Sequence, residues 1–72
     1  MNLIKFKEDL ETLIKQHEVS RDFCEAAYLE DTAAGKEDAY KWRDTKRFWS
    51  EKAAILQDIK DLVQEYLDTV HR

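Results

Sequence analysis

Proline is absent from this 72-residue chain, glycine occurs once, at Gly35, and cysteine once, at Cys24. With no proline, nothing forbids a long helix. With one glycine near the midpoint, the chain has one natural place to stop and turn. A lone cysteine excludes an intrachain disulfide and points to a reducing compartment, the cytoplasm. The composition leaves room only for a bridge between two copies of Cys24. Long apolar runs are also missing: none approaches the roughly 20 residues that span a bilayer. The N-terminal MNLIKFKEDLE carries acids where a signal peptide would be apolar. The expectation is a soluble cytoplasmic protein with no membrane partner. Histidine is scarce, and no Ser/His/Asp arrangement, phosphate loop or nucleotide fingerprint occurs, so neither catalysis nor a cofactor is expected.

Charge, by contrast, is plentiful and uneven. Twelve Lys and Arg face sixteen Asp and Glu, a net of −4. The excess of acid lies in residues 1–35 and 53–71, whereas residues 36–52 are mildly basic. An acidic molecule with one basic band is poorly suited to nucleic acid, whose binding needs a phosphate-facing surplus of cations.

Apolar residues recur at helical spacing. Trp42, Trp49, Leu56, Val63 and Val70 repeat every seventh position, and Phe48, Ile55 and Leu62 form a parallel row one position earlier. Ala53, Ile59, Tyr66 and Leu67 widen the stripe beyond what a two-stranded seam requires. In the first half, Leu3, Phe6, Leu10 and Leu13 begin a similar seam that continues through His17, Ser20, Cys24 and Ala27. Polar and small groups interrupt it around residues 15–22, which makes Ser20 a possible N-cap of a broken helix. The lack of glycine or proline there favours a continuous one.

The pattern predicts an all-α single domain over residues 1–72: helix 1 over about 3–30, a turn over about 31–36 and helix 2 over about 37–70. A short turn makes the helices antiparallel, forming a long, coiled-coil-like hairpin. The expected core or dimer seam is Leu10, Leu13, His17, Cys24, Trp42, Phe48, Trp49, Leu56, Ile59 and Val63. Glu11–Lys15 and Glu37–Lys41 are spaced for i,i+4 ion pairs on the helix surfaces. A lone hairpin leaves part of a wide apolar stripe wet, and pairing of two copies into a four-helix bundle covers it. The alternative is that the stripe itself receives a different protein.

The segment YKWRDTKRFW, residues 40–49, concentrates aromatics and cations. Stacking on nucleic acid requires both on one surface. Helical periodicity separates them, with Trp42, Phe48 and Trp49 toward the seam and Arg43 and Arg47 outside it. His17 and Cys24 lie two turns apart on one face, enough for two metal ligands, but a structural zinc site needs four. A polar layer that fixes register is the simpler role. Asp68 and His71 form a single terminal DxxH pair, short of the paired motifs of di-iron bundles. No metal is expected.

In size, acidity and helical simplicity the chain is similar to small regulators, phage-encoded inhibitors among them, that act by occupying a partner's surface. The expected function is therefore a non-enzymatic protein–protein interaction module, a homodimer that binds another protein. Tyr28, Tyr40, Arg43 and Arg47 are candidate contacts near the turn. The acidic face of helix 1, Glu8, Glu11, Glu18, Asp22 and Glu25, offers a second mode, mimicry of nucleic acid toward a basic groove. Direct nucleic-acid binding by Lys41, Arg43, Lys46 and Arg47 is the remaining alternative.

Overall fold

The computed structural model describes residues 2–70. Two α-helices of equal length, α1 (Leu3–Ala33) and α2 (Tyr40–Val70), pack antiparallel and are joined by a tight turn that ends in a 3-10 segment, Glu37–Ala39. The hairpin is a rod of 57 × 16 × 14 Å. No strand occurs among the described residues.

Local chemistry sets both ends of α1. The Asn2 side chain accepts a hydrogen bond from the Lys5 amide at 3.1 Å, satisfying one of the otherwise orphaned first-turn amides, and the Asn2 carbonyl accepts the first regular helix bond, from the Phe6 amide at 3.0 Å. At the other end Gly35 takes φ +75°, where a side chain would be strained. Its amide donates to the Thr32 carbonyl at 3.1 Å, and the Lys36 amide donates to the Asp31 carbonyl at 3.0 Å, which is how a glycine-terminated helix closes its last carbonyls. The glycine thus turns the chain, three residues later than the expected helix end. The expected start of α2 at 37 is instead the 3-10 segment, and the α-helix begins at Tyr40.

α1 runs unbroken through residues 15–22. Ser20 caps nothing; its hydroxyl donates to the Gln16 carbonyl at 3.1 Å, the back-bond that lets a serine sit inside a helix. The i,i+4 partners also differ from expectation. Glu11 meets Lys7 at 3.9 Å and, across the hairpin, Lys60 at 3.6 Å, in place of Lys15. Lys41 pairs with Asp38 at 3.9 Å in place of Glu37.

The seam between the helices is narrow. Leu10, Ile14 and Cys24 of α1, Ala53 of α2 and Ala39 of the turn are its buried residues. Along α1 the seam residues, each withdrawn from solvent, step by four and three: Leu3, Lys7, Leu10, Ile14, then His17, Arg21, Cys24, Tyr28 and Asp31. Along α2 they are Trp42, Lys46, Trp49, Ala53, Leu56, Lys60, Val63 and Leu67. This is the spacing of two helices wound on one another. His17, Trp42, Trp49, Leu56 and Val63 accordingly lie half-buried in the seam beside the buried Leu10 and Cys24. Leu13 does not: it is 41% exposed while Ile14 is 6% exposed, so the seam of α1 passes one residue later than expected. Phe48 and Ile59 are likewise outside the intramolecular seam, both exposed.

Candidate functional site

The side chains left over by the seam fall on two unlike broad faces of the rod. On one, three open grooves follow one another along the junction of the helices. Near the chain ends, Leu3, Ile59, Leu62, Val63 and Tyr66 line a groove of about 320 Å³. At mid-length His17 of α1 meets Lys52, Ile55 and Leu56 of α2. Toward the turn a groove of about 450 Å³ is lined by Ser20, Phe23 and Cys24 from α1 and Trp42, Thr45 and Trp49 from α2, with Val19 at its edge. Each groove is bounded by apolar side chains that the hairpin does not cover: Leu62 is 65% exposed, Phe23 63% and Ile55 58%.

This face has a second apolar register on α2. Phe48, Lys52, Ile55, Ile59, Leu62 and Tyr66 step by four and three, offset one position from the seam that meets α1. A helix with two such rows is built to touch two neighbours. The row is interrupted by Lys52, whose ammonium stands 4.5 Å from the centre of the Phe48 ring and so lies along apolar surface. Phe6 and Leu13 of α1 carry the same face, both exposed.

Aromatic rings join the two registers. His17 stands edge-on to Trp49 with ring centres 5.2 Å apart, Phe23 edge-on to Trp42 at 5.8 Å and Phe48 edge-on to Trp49 at 5.2 Å. The Trp42 indole donates to Asp31 at 2.9 Å, and Asp31 also meets Lys36 at 3.5 Å. Asp31 thereby ties the first turn of α2 to the last turn of α1.

The opposite face is polar. Glu11, Glu18 and Glu25 of α1 recur every seventh residue there, and the first and last are engaged from α2: Lys60 meets Glu11 at 3.6 Å and Lys46 meets Glu25 at 3.2 Å. Asp22 holds Arg21 at 3.1 Å, whereas Glu18 is half-buried beside them. Part of the acidic row is therefore neutralised within the hairpin, which weakens it as a mimic of nucleic acid. The basic band has a similar fate. Lys41 faces Asp38 at 3.9 Å, Lys46 faces Glu25, and Arg47 pairs with Glu51 at 3.2 Å. Of Lys41, Arg43, Lys46 and Arg47, Arg43 forms no ion pair among the described residues. Tyr40 and Arg47 are exposed on the outer side of α2, while Tyr28 is half-buried in the seam.

Among the described residues no group of three or more His, Cys, Asp or Glu is placed to hold a metal ion. His17 packs against Trp49 and Cys24 is buried. Of the DxxH pair, Asp68 accepts a hydrogen bond from Gln64 at 2.8 Å and His71 lies outside the described residues. No described helix is long and apolar enough to cross a membrane. Two features escape a reading of hydropathy alone: Lys46 and Lys60 occupy seam positions, and Ile14 replaces Leu13 there. Compared with known proteins, the chain matches no family model, no curated protein and no solved structure.

Proposed function

We propose that the protein is a non-enzymatic interaction module: the hairpin covers its apolar face with a second copy, forming a four-helix bundle, and turns its polar face to another protein whose surface it occupies. What carries this reading is the division of the rod into one face with a second apolar register, broken only at Lys52, and another with charged and polar groups. A face of 57 × 16 Å matches the scale of a stable interface, about 800 Å² per partner. Of the contacts expected from sequence, Tyr28 lies in the seam, whereas Tyr40, Arg43, Arg47, Glu18, Asp22 and Glu25 belong to the polar side or its edge, so self-association and partner capture do not compete for these six. Its own role is that of a small regulator or inhibitor acting on that partner.

Light scattering with circular dichroism on the same samples tests the first part. The parent chain is expected to be a helical dimer, and Leu62→Glu, which puts a charge in the apolar register, a monomer with reduced helix. A parent that stays monomeric and fully helical overturns the pairing. For the second part, Arg43→Glu with Arg47→Glu is expected to keep the dimer mass and to lose a captured partner that the parent retains.

A further inference from the structure

Resting on the dimer reading above, we infer that the two copies stack with α2 of each against α1 of the other, turns at the same end, rather than like helix against like. Two hairpins meeting face to face about a two-fold axis have only these two forms. In the first the axis runs along the helices; in the second it crosses them at mid-length. Charge on the outer edges of the apolar face separates the two.

Beyond its second apolar register, α2 presents Asp44, Glu51, Asp58 and Glu65, every seventh residue and all exposed. The corresponding edge of α1 is Lys5, Thr12, Val19 and Ala26, also exposed and free of acid. If like helices faced each other, the two α2 helices would cross near Ile55, the midpoint of Tyr40–Val70. Asp44 would then stand level with Glu65 of the other copy, and Glu51 with Asp58, acid against acid at every level. Like charges set opposite one another at an interface exclude that arrangement more effectively than any contact selects it.

The crossed stack removes those encounters and sets cations near acid instead, although within the single hairpin Lys41 also faces Asp38 at 3.9 Å and Lys5 faces Asp9 at 3.5 Å, both pairs exposed. The Lys46–Glu25 and Lys60–Glu11 pairs fix the levels of the hairpin: each residue up one helix is matched by one down the other. With the axis along the helices, the second copy keeps the same levels. Phe48 then stands level with Phe23 of the partner copy, Lys41 with Glu30, and Ile55 with Gln16, while the acidic edge of α2 lies along the edge of α1 that begins with Lys5. Phe23 and Phe48 are both exposed in the single hairpin, and Glu30 forms no ion pair in it among the described residues.

Single cysteines report the topology directly, because a disulfide closes only when the two Cβ atoms come within about 4.5 Å. In a Cys24→Ala background, Ile55→Cys and Gln16→Cys chains are made separately, then refolded alone or mixed, oxidised and weighed by intact mass. Glu30→Cys with Lys41→Cys is a second pair at exposed, charged positions, independent of any loss of apolar packing. The crossed stack predicts little self-linking of Ile55→Cys and at least a five-fold excess of mixed species for both pairs. Efficient self-linking of Ile55→Cys, with no mixed product from either pair, overturns the crossed topology while leaving the dimer intact. A parent chain that light scattering finds monomeric, with no linked product from any variant, overturns the dimer reading itself.

Discussion

Asp31 makes two contacts at the turn that joins the helices. One carboxylate oxygen accepts the Trp42 indole N–H at 2.9 Å and the other faces the Lys36 ammonium at 3.5 Å, so one side chain clamps both arms of the turn. The indole is part-buried, and a donor stripped of its partner there bears its desolvation cost alone. Asp31→Ala is expected to cost about 1–2 kcal/mol, the lower part of the range for hydrogen bonds to charged groups because Asp31 retains some solvent. At about 4–8 °C per kcal/mol for a chain of this size, the loss is readable as a lowered Tm in thermal circular dichroism at fixed concentration. Asp31→Asn keeps an acceptor for the indole and is expected to cost less than half as much. Equal losses for the two variants would assign the effect to the Lys36 pair and not to the indole.

At the scale of the helices, what the sequence makes legible and what it hides have one cause. Gly35 and the sevenfold repeat of Trp42, Trp49, Leu56 and Val63 are unambiguous, and the turn and the seam of α2 lie where they place them. α1 is ambiguous because two paths share Leu3 and Leu10: one goes on through Phe6 and Leu13, the other through Lys7 and Ile14. Hydropathy favours the first. The second is the seam because Lys7 and Arg21 lay their methylene stems along it and keep their charges near water, and Lys46 and Lys60 do the same from α2. Leu13, Phe48 and Ile59 are thereby released to the other face, where the candidate interface lies, so the apolar residues that fit the seam least mark the site best. The lysines also set register through Glu11 and Glu25, a role known for polar groups in coiled coils. Lys60→Glu is expected to destabilise by about 1 kcal/mol, a modest figure because such partly exposed pairs are screened by solvent. Glu11→Lys in the same chain is expected to restore roughly half, since reversing the pair returns the attraction but not the packing of the lysine stem. Urea unfolding of the four chains of the cycle measures both, and a double variant no more stable than Lys60→Glu alone would show that the lysine acts only through its stem.

As a whole molecule, the hairpin is too thin to enclose a core. Its smaller dimensions, 16 × 14 Å, leave room for no third element beside the two helices. Among the described residues only Leu10, Ile14, Cys24, Ala39 and Ala53 are buried, and three of these are small side chains. Domains of this size are marginal even when globular, and those that persist generally gain a disulfide, a metal or a second subunit. The single cysteine excludes an internal disulfide, and the described residues hold no metal cluster. On the proposed reading stability comes with association, and a protein that folds as it pairs has a Tm that rises with concentration. A tenfold increase is worth about 1.4 kcal/mol of association free energy, which corresponds to several degrees. Calorimetry or circular dichroism from the low micromolar to the high micromolar range measures the shift. With Leu62→Glu the transition is expected to fall to lower temperature throughout, because the charge removes the face on which the second copy rests. If the parent Tm does not move with concentration, the narrow seam between α1 and α2 is sufficient by itself. The apolar register of Phe48, Ile55 and Leu62 would then be kept open for a different protein, and the search for a partner would begin on that face instead of the polar one.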